Sequence, residues 1–186
     1  MPSQDDLSLL RRVAARDRVA FEALYRAYHP RLFSYLLRVT RSADVVEELL
    51  SEIMLAVWTG APRFAGRSRP STWIFGIAHH KAQKAMARRR PELVQESAAH
   101  DAPDAGQGPH SMVERRELRS LLGRALRALS TEQREVVELT YFHDFSYREI
   151  AEIVGCPVNT VKTRMFHARR RLRELLPALG VPSAMG

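Results

Sequence analysis

Two short motifs near the C-terminus constrain the fold of this chain more than any other feature. Ser130-Thr131-Glu132-Gln133 and Ser146-Tyr147-Arg148-Glu149 both read Ser-x-x-Glu/Gln. In that pattern the serine hydroxyl accepts from the amide three residues on, and the Glu or Gln side chain reaches back to the serine amide. A helix is expected to start at each point. The second start is followed by Ile150, Ile153 and Val154 on one helical face, then by Gly155, a residue suited to ending a helix in left-handed backbone. Pro157 stands near the start of the next helix, where its missing N–H does no harm. Helix, three-residue turn and helix make up the grammar of a helix-turn-helix, from Ser146 to Arg173.

The second helix of this unit places Val161, Met165, Ala168 and Leu172 on an apolar face, with Asn159, Lys162, Thr163, Phe166, His167 and Arg170 opposite. In such motifs the first residues of the second helix meet base edges in the major groove. Lys162, Thr163, Phe166 and His167 are the candidates, with Phe166 suited to a thymine methyl. Arg164, Arg169 and Arg171 suit phosphate contacts, which give affinity without sequence information. The plainer alternatives are a helical hairpin with a solvated basic face, an Arg-rich last turn that complements the helix dipole, and Phe166 as a core residue. Cys156, the lone cysteine, reads as a small apolar filler rather than a redox centre.

Charge supports a polyanionic partner. Lys and Arg number 29 against 21 Asp and Glu, and the net charge is +8. It is unevenly spread: residues 1–90 carry 16 basic and 8 acidic groups, residues 114–186 carry 13 and 9. Between them, about Pro91 to Met112, lie Pro91, Pro103 and Pro109, four acids and no Lys or Arg. So little apolar surface predicts a flexible linker. The expected organisation is all-α, with two small helical domains at 1–90 and 113–186 joined by the linker 91–112. Predicted helices are Gln4–Ala15, Val19–Thr40 (with Pro30 as a kink or a split), Ala43–Trp58, Ser71–Arg89, Met112–Leu129, Thr131–Phe142, Tyr147–Val154 and Val158–Leu175.

No phosphate loop, nucleophile constellation or Cys/His group with zinc spacing occurs in the sequence. No catalytic residue, metal or cofactor is expected. Met1–Leu10 carries Asp5 and Asp6 and does not read as a signal peptide. No run approaches the ~20 apolar residues of a membrane span, so no membrane insertion and a cytoplasmic location are expected.

In the first lobe, Val46, Leu49, Leu50, Ile53 and Val57 form an apolar stripe, with Glu47, Glu48, Ser51 and Glu52 opposite. That acidic face serves either solubility or the docking of a basic partner helix. The helix from Ser71 pairs an apolar face (Trp73, Ile74, Ile77, Ala78, Ala82) with a basic one (His80, Lys81, Lys84, Arg88). Ahead of it runs the basic loop Phe64-Ala65-Gly66-Arg67-Ser68-Arg69-Pro70-Ser71. A basic helix and loop suit nucleic acid, and a cavity in the loop would hold an unstacked base. Trp73 reads as core or as a stacking platform.

With these features in order, the chain resembles the extracytoplasmic-function (ECF) sigma factors, two-domain specificity subunits of bacterial RNA polymerase in the sigma-70 family. Phe21-Glu-Ala-Leu-Tyr25, the acidic helix ending at Trp58, and Ser71-Thr-Trp-Ile-Phe-Gly-Ile-Ala78 are similar to region two. The stretches 128–139 and 146–162 are similar to region four. The resemblance implies a promoter-specific initiation factor that binds core RNA polymerase and serves a stress- or signal-responsive set of promoters. It places Glu47, Glu48, Ser51, Glu52 and Leu55 on the polymerase clamp. It places Phe64, Arg67, Ser68, Arg69, Ser71, Trp73, His80, Lys81, Lys84 and Arg88 on the minus-ten element, gripping an extruded base. Asn159, Thr160, Lys162, Thr163, Arg164, Phe166, His167, Arg169 and Arg170 would meet the minus-thirty-five element. It also implies control by an anti-sigma factor wedged between the domains, or by phosphorylation, for which Ser51 is a candidate. Glu48 and Ser51 depart from the family's usual acidic run, His80 lies where Asn is common, and Asn159 stands where Gly is usual before Thr160. The rival classes are a free-standing helix-turn-helix repressor or activator, which leaves the acidic helix and basic loop unused, and an enzyme or scaffold with a basic docking face.

Overall fold

A computed structural model of the chain describes residues 4–89 and 121–178. The linker 91–112 and the helix start expected at Met112 lie outside the described residues. Those described are helical, with no strand among them. The helices are α1 Gln4–Ala14, α2 Arg18–Thr40, α3 Val46–Gly60, α4 Pro70–Arg89, α5 121–127, α6 Thr131–Tyr141, α7 Tyr147–Val154 and α8 Val158–Ala178. Single 3-10 turns, Ala43–Val45 and Ala61–Arg63, precede and follow α3.

Local chemistry sets these boundaries. Asp17 caps α2, its carboxylate accepting from the amides of Val19 and Ala20 at 2.9 and 3.1 Å. Arg41 closes the same helix in left-handed backbone, its N–H bonded to the Leu37 carbonyl. Pro30 does not split α2, which runs through it. An interior proline costs about 3 kcal/mol. Tyr28, Leu32, Tyr35 and Leu36 are all fully buried around it, and each such side chain stabilises by roughly 1.5–3 kcal/mol. Burial therefore outweighs the lost hydrogen bond.

The first lobe packs α1 to α4 around Leu10, Leu24, Leu32, Leu50, Ile53 and Ile74. The second packs α6, α7 and α8 around Val136, Leu139, Ile150, Ile153, Val161 and Met165. Arg134 ties α5 to α6: its buried guanidinium donates to the carbonyls of Leu126 and Leu129, both at 2.9 Å. The buried residues of both lobes form one continuous cluster. Phe75 of α4 joins them, its ring centroid 4.9 Å from those of His143 and Phe145. No local sequence pattern signals this packing of lobe on lobe, since its contacts join residues 56 to 100 positions apart.

Candidate nucleic-acid interface

Both capping boxes are formed. Ser130 Oγ accepts from the Gln133 amide and Gln133 Oε1 from the Ser130 amide, each at 3.3 Å. Ser146 Oγ accepts from the Glu149 amide at 3.3 Å, and Glu149 Oε2 from the Ser146 amide at 2.9 Å. Gly155 has φ +67°, and its N–H donates to the Ala151 carbonyl. These local bonds fix the turn that aims α8. Val161, Met165 and Ala168 face inward. Val154 and Leu172, expected in the core, are half-buried against it, because both stand near the ends of their apolar faces.

Asn159, Lys162, Thr163, Phe166, Arg169 and Arg170 are exposed on α8, while Thr160, Arg164 and His167 are half-buried. Phe166 is 63% exposed, which removes its core alternative. Some polar atoms here are already engaged. Arg169 donates to the Tyr141 hydroxyl at 2.8 and 3.1 Å. Arg171 lies 3.3 Å from Glu174, and Thr163 Oγ1 donates to the Asn159 carbonyl at 3.0 Å. Half-buried Cys156 packs against the core.

In the first lobe, the loop before α4 folds over its N-terminus. Phe64 and Trp73 lie with ring centroids 5.2 Å apart. With Arg63, Ala65, Arg67 and Ser68 they line a cavity of about 180 Å³. Half-buried Trp73 thus packs on the core and also walls this cavity. Gly60 permits the packing, since a Cβ there would meet the indole at 3.2 Å. Arg67 and Arg69 are exposed, Phe64 and Ser68 half-buried, and Ser71 buried. Along α4, His80, Lys84 and Arg88 face solvent.

On α3, Glu47, Glu48, Ser51 and Leu55 are exposed, Leu55 at 62%. Glu52 is half-buried and accepts from Lys81 Nζ at 2.7 Å. That hydrogen bond holds the Glu52 carboxyl below its ordinary value. Two residues that the sequence assigned to different surfaces are therefore joined.

Further contacts connect the lobes. Glu149, besides capping α7, lies 3.1 Å from Arg69 Nη1 and accepts from the Thr72 hydroxyl at 3.5 Å. Glu135 of α6 accepts from the Tyr35 hydroxyl and has His79 Nδ1 at 2.7 Å. Glu138 accepts from Arg38 Nη1 at 2.9 and 3.1 Å. Sequence reasoning had no signal for these pairs, because each spans 56 residues or more. A cleft of about 1030 Å³ lies among α1, the basic loop and the start of α7, with Arg67, Arg69 and Arg148 on its walls.

Comparison with known proteins assigns both lobes. Residues 24–92 match the family model for sigma-70 region 2, and residues 119–172 match that for sigma-70 region 4. The chain is 31% identical over 161 residues to the ECF RNA polymerase sigma factor RpoE of Cereibacter sphaeroides, covering 86% of this chain and 87% of that protein. It is 31% identical over 181 residues to the ECF sigma factor SigK of Mycobacterium tuberculosis, covering 94% and 95%. Among solved structures, the sigma factor RpoE in complex with the anti-sigma factor NepR from Bartonella quintana is similar at 27% identity. There the TM-score is 0.70, with 84% of this chain and 96% of that one covered. Fold and sequence define a sigma-70-type factor, a promoter-directing subunit for transcription initiation. Within that class the chain belongs to the ECF sigma factors. Among the described residues no helix is long and apolar enough to cross a membrane.

Proposed function

We propose that this sigma factor grips its promoters at two points while α3 holds the polymerase. The exposed side of α3, with Glu47, Glu48, Ser51, Leu55 and the Lys81-braced Glu52, docks on the core enzyme. The loop 64–71 and the basic side of α4 take the minus-ten element. There Arg67 and Ser68 meet backbone, and the cavity between Phe64 and Trp73 receives an unstacked base. The exposed side of α8 reads the minus-thirty-five duplex through Lys162, Thr163, Phe166 and His167. The observation that carries this reading is Phe166, a large ring left in solvent on a helix whose opposite face is core. Arg164, Arg169 and Arg170, with Asn159 and Thr160, surround it as phosphate and groove-edge contacts. Domains 1–90 and 113–186 divide these tasks across the linker.

The factor works in the cytoplasm without catalysis of its own. The similar RpoE was solved with the anti-sigma factor NepR, and a partner of that class restrains this chain as well. Ser51, exposed on the docking face, is the site at which phosphorylation would act instead.

Binding of fluorescent promoter duplex to polymerase holoenzyme tests the division of tasks. Lys162→Ala should cost about 1–3 kcal/mol on cognate sequence and much less on scrambled sequence. Equal losses on both would place Lys162 on phosphate. Glu48→Lys should weaken association with core enzyme while leaving DNA binding by α8 unchanged. Loss of both would contradict the assignment of α3.

A further inference from the structure

The ion pair between Glu52 of α3 and Lys81 of α4 joins two side chains that the resemblance assigns to different partners. Its origin lies in the packing of the first lobe. Ile74 and Ala78 stand seven and three residues before Lys81, and Ala85 four after it. All three lie in the core or pack against it. Residues at those spacings share one side of a helix, so Lys81 leaves α4 on its packed side, where α3 lies. The side chain is 35% exposed, and Nζ donates to Glu52 Oε2 at 2.7 Å. His80, Lys84 and Arg88 on the same helix are exposed instead. A long basic side chain can cover apolar surface with its stem while its head reaches a partner. In Lys81 that head is already committed to a carboxylate.

The carboxylate belongs to the outer side of α3. Glu52 follows Glu48 by four residues and precedes Leu55 by three, and both neighbours are exposed. One of its oxygens is taken by Lys81, and a carboxylate oxygen pair can accept further donors. Arg88 and Lys84 add positive charge at longer range, which keeps Glu52 anionic.

We propose that Lys81 is a positioning residue for polymerase docking, and that its ammonium does not serve the minus-ten strand. It holds Glu52 in one orientation, so the carboxylate meets a basic group of the polymerase with its side-chain freedom already lost. Ordering such a side chain only on docking would weaken affinity roughly two- to tenfold. The α4 side chains left for DNA are His80, Lys84 and Arg88. The proposal rests on the docking role of α3.

The test uses the full chain, with binding to core RNA polymerase and to a fluorescent single-stranded DNA of random sequence measured across salt. Lys81→Ala should weaken core binding about two- to fivefold and leave the salt slope for single-stranded DNA as in the parent. Lys84→Ala should lower that slope by about 0.7, the share of one single-strand phosphate. Lys81→Arg keeps a cation beside Glu52 and should retain core affinity, which a general packing defect at this position would not allow. In a Glu52→Gln background, Lys81→Ala should cost nothing further, because the two act as one unit. A slope lowered by about 0.7 in Lys81→Ala, with core binding intact, returns Lys81 to DNA and overturns the proposal. An equal loss of core affinity with and without Glu52 overturns it too. If Glu48→Lys and Glu52→Gln both bind core as the parent does, the docking role of α3 fails and the proposal falls with it. If those two weaken core binding while Lys81→Ala does not, only the proposal fails.

Discussion

At the scale of single residues, burial sets two opposed protonation equilibria around α6. Desolvation pushes Glu138 up to about 7, despite Arg38 beside it. His143, buried with both ring nitrogens without a hydrogen-bond partner, is pushed down to about 4. Glu138 holds its proton more tightly folded than unfolded. It therefore contributes stability that is present below its ordinary 4.5 and lost as pH rises through 7. His143 does the reverse: its contribution is present above 6.5 and lost as pH falls toward 4. His143→Phe keeps a ring against Phe75 and removes the second effect. Its thermal stability relative to the parent should improve by up to about 2 kcal/mol between pH 6.5 and 5. Melting curves across that range check this, and a difference that stays constant with pH would contradict it. At the DNA surface, affinity for duplex should fall with salt at a logarithmic slope of about −0.9 per phosphate neutralised. Arg170→Ala should reduce that slope by about one such contact, whereas Phe166→Ala should leave it unchanged, as titrations across salt would show.

At the scale of elements, the helix-turn-helix is held by short-range bonds. Ser146→Ala removes the cap from α7 and should cost about 1 kcal/mol. Gly155→Ala meets no steric obstacle, since nothing lies within 4 Å of an added Cβ. Its cost is that of left-handed backbone, about 1–2 kcal/mol. Urea unfolding measures both, and a Gly155→Ala variant as stable as the parent would refute the turn geometry. This locality made α7 legible in sequence: cap, apolar spacing and terminal glycine all lie within ten residues. Pro30 was ambiguous because the cost of proline is local, while the compensating burial of Tyr28 and Tyr35 depends on packing that no local pattern displays. Phe166 was ambiguous for the same reason, as exposure is a tertiary property.

At the scale of the whole molecule, sequence patterning predicts two lobes with basic faces but not how they meet. Surface helices and buried carboxylates look alike in sequence, and Glu135 and Glu138 read as ordinary polar positions until Tyr35 and Arg38, each 100 residues away, are brought to them. The cavity beside Trp73 was expected as a type of feature, yet its walls, Phe64 and the indole, depend on the close approach allowed by Gly60. The proposed function rests on geometry at this scale: one helix aimed by a capped turn, one loop with a cavity of about 180 Å³, and one exposed acidic face on α3.

Run-off transcription with purified core RNA polymerase on genomic promoter fragments tests that account most directly. Initiation at discrete promoters is expected only when this chain is added, with loss of initiation for Glu48→Lys and reduced promoter discrimination for Lys162→Ala. A chain that binds duplex DNA on its own yet yields no promoter-specific transcript with core enzyme would contradict it.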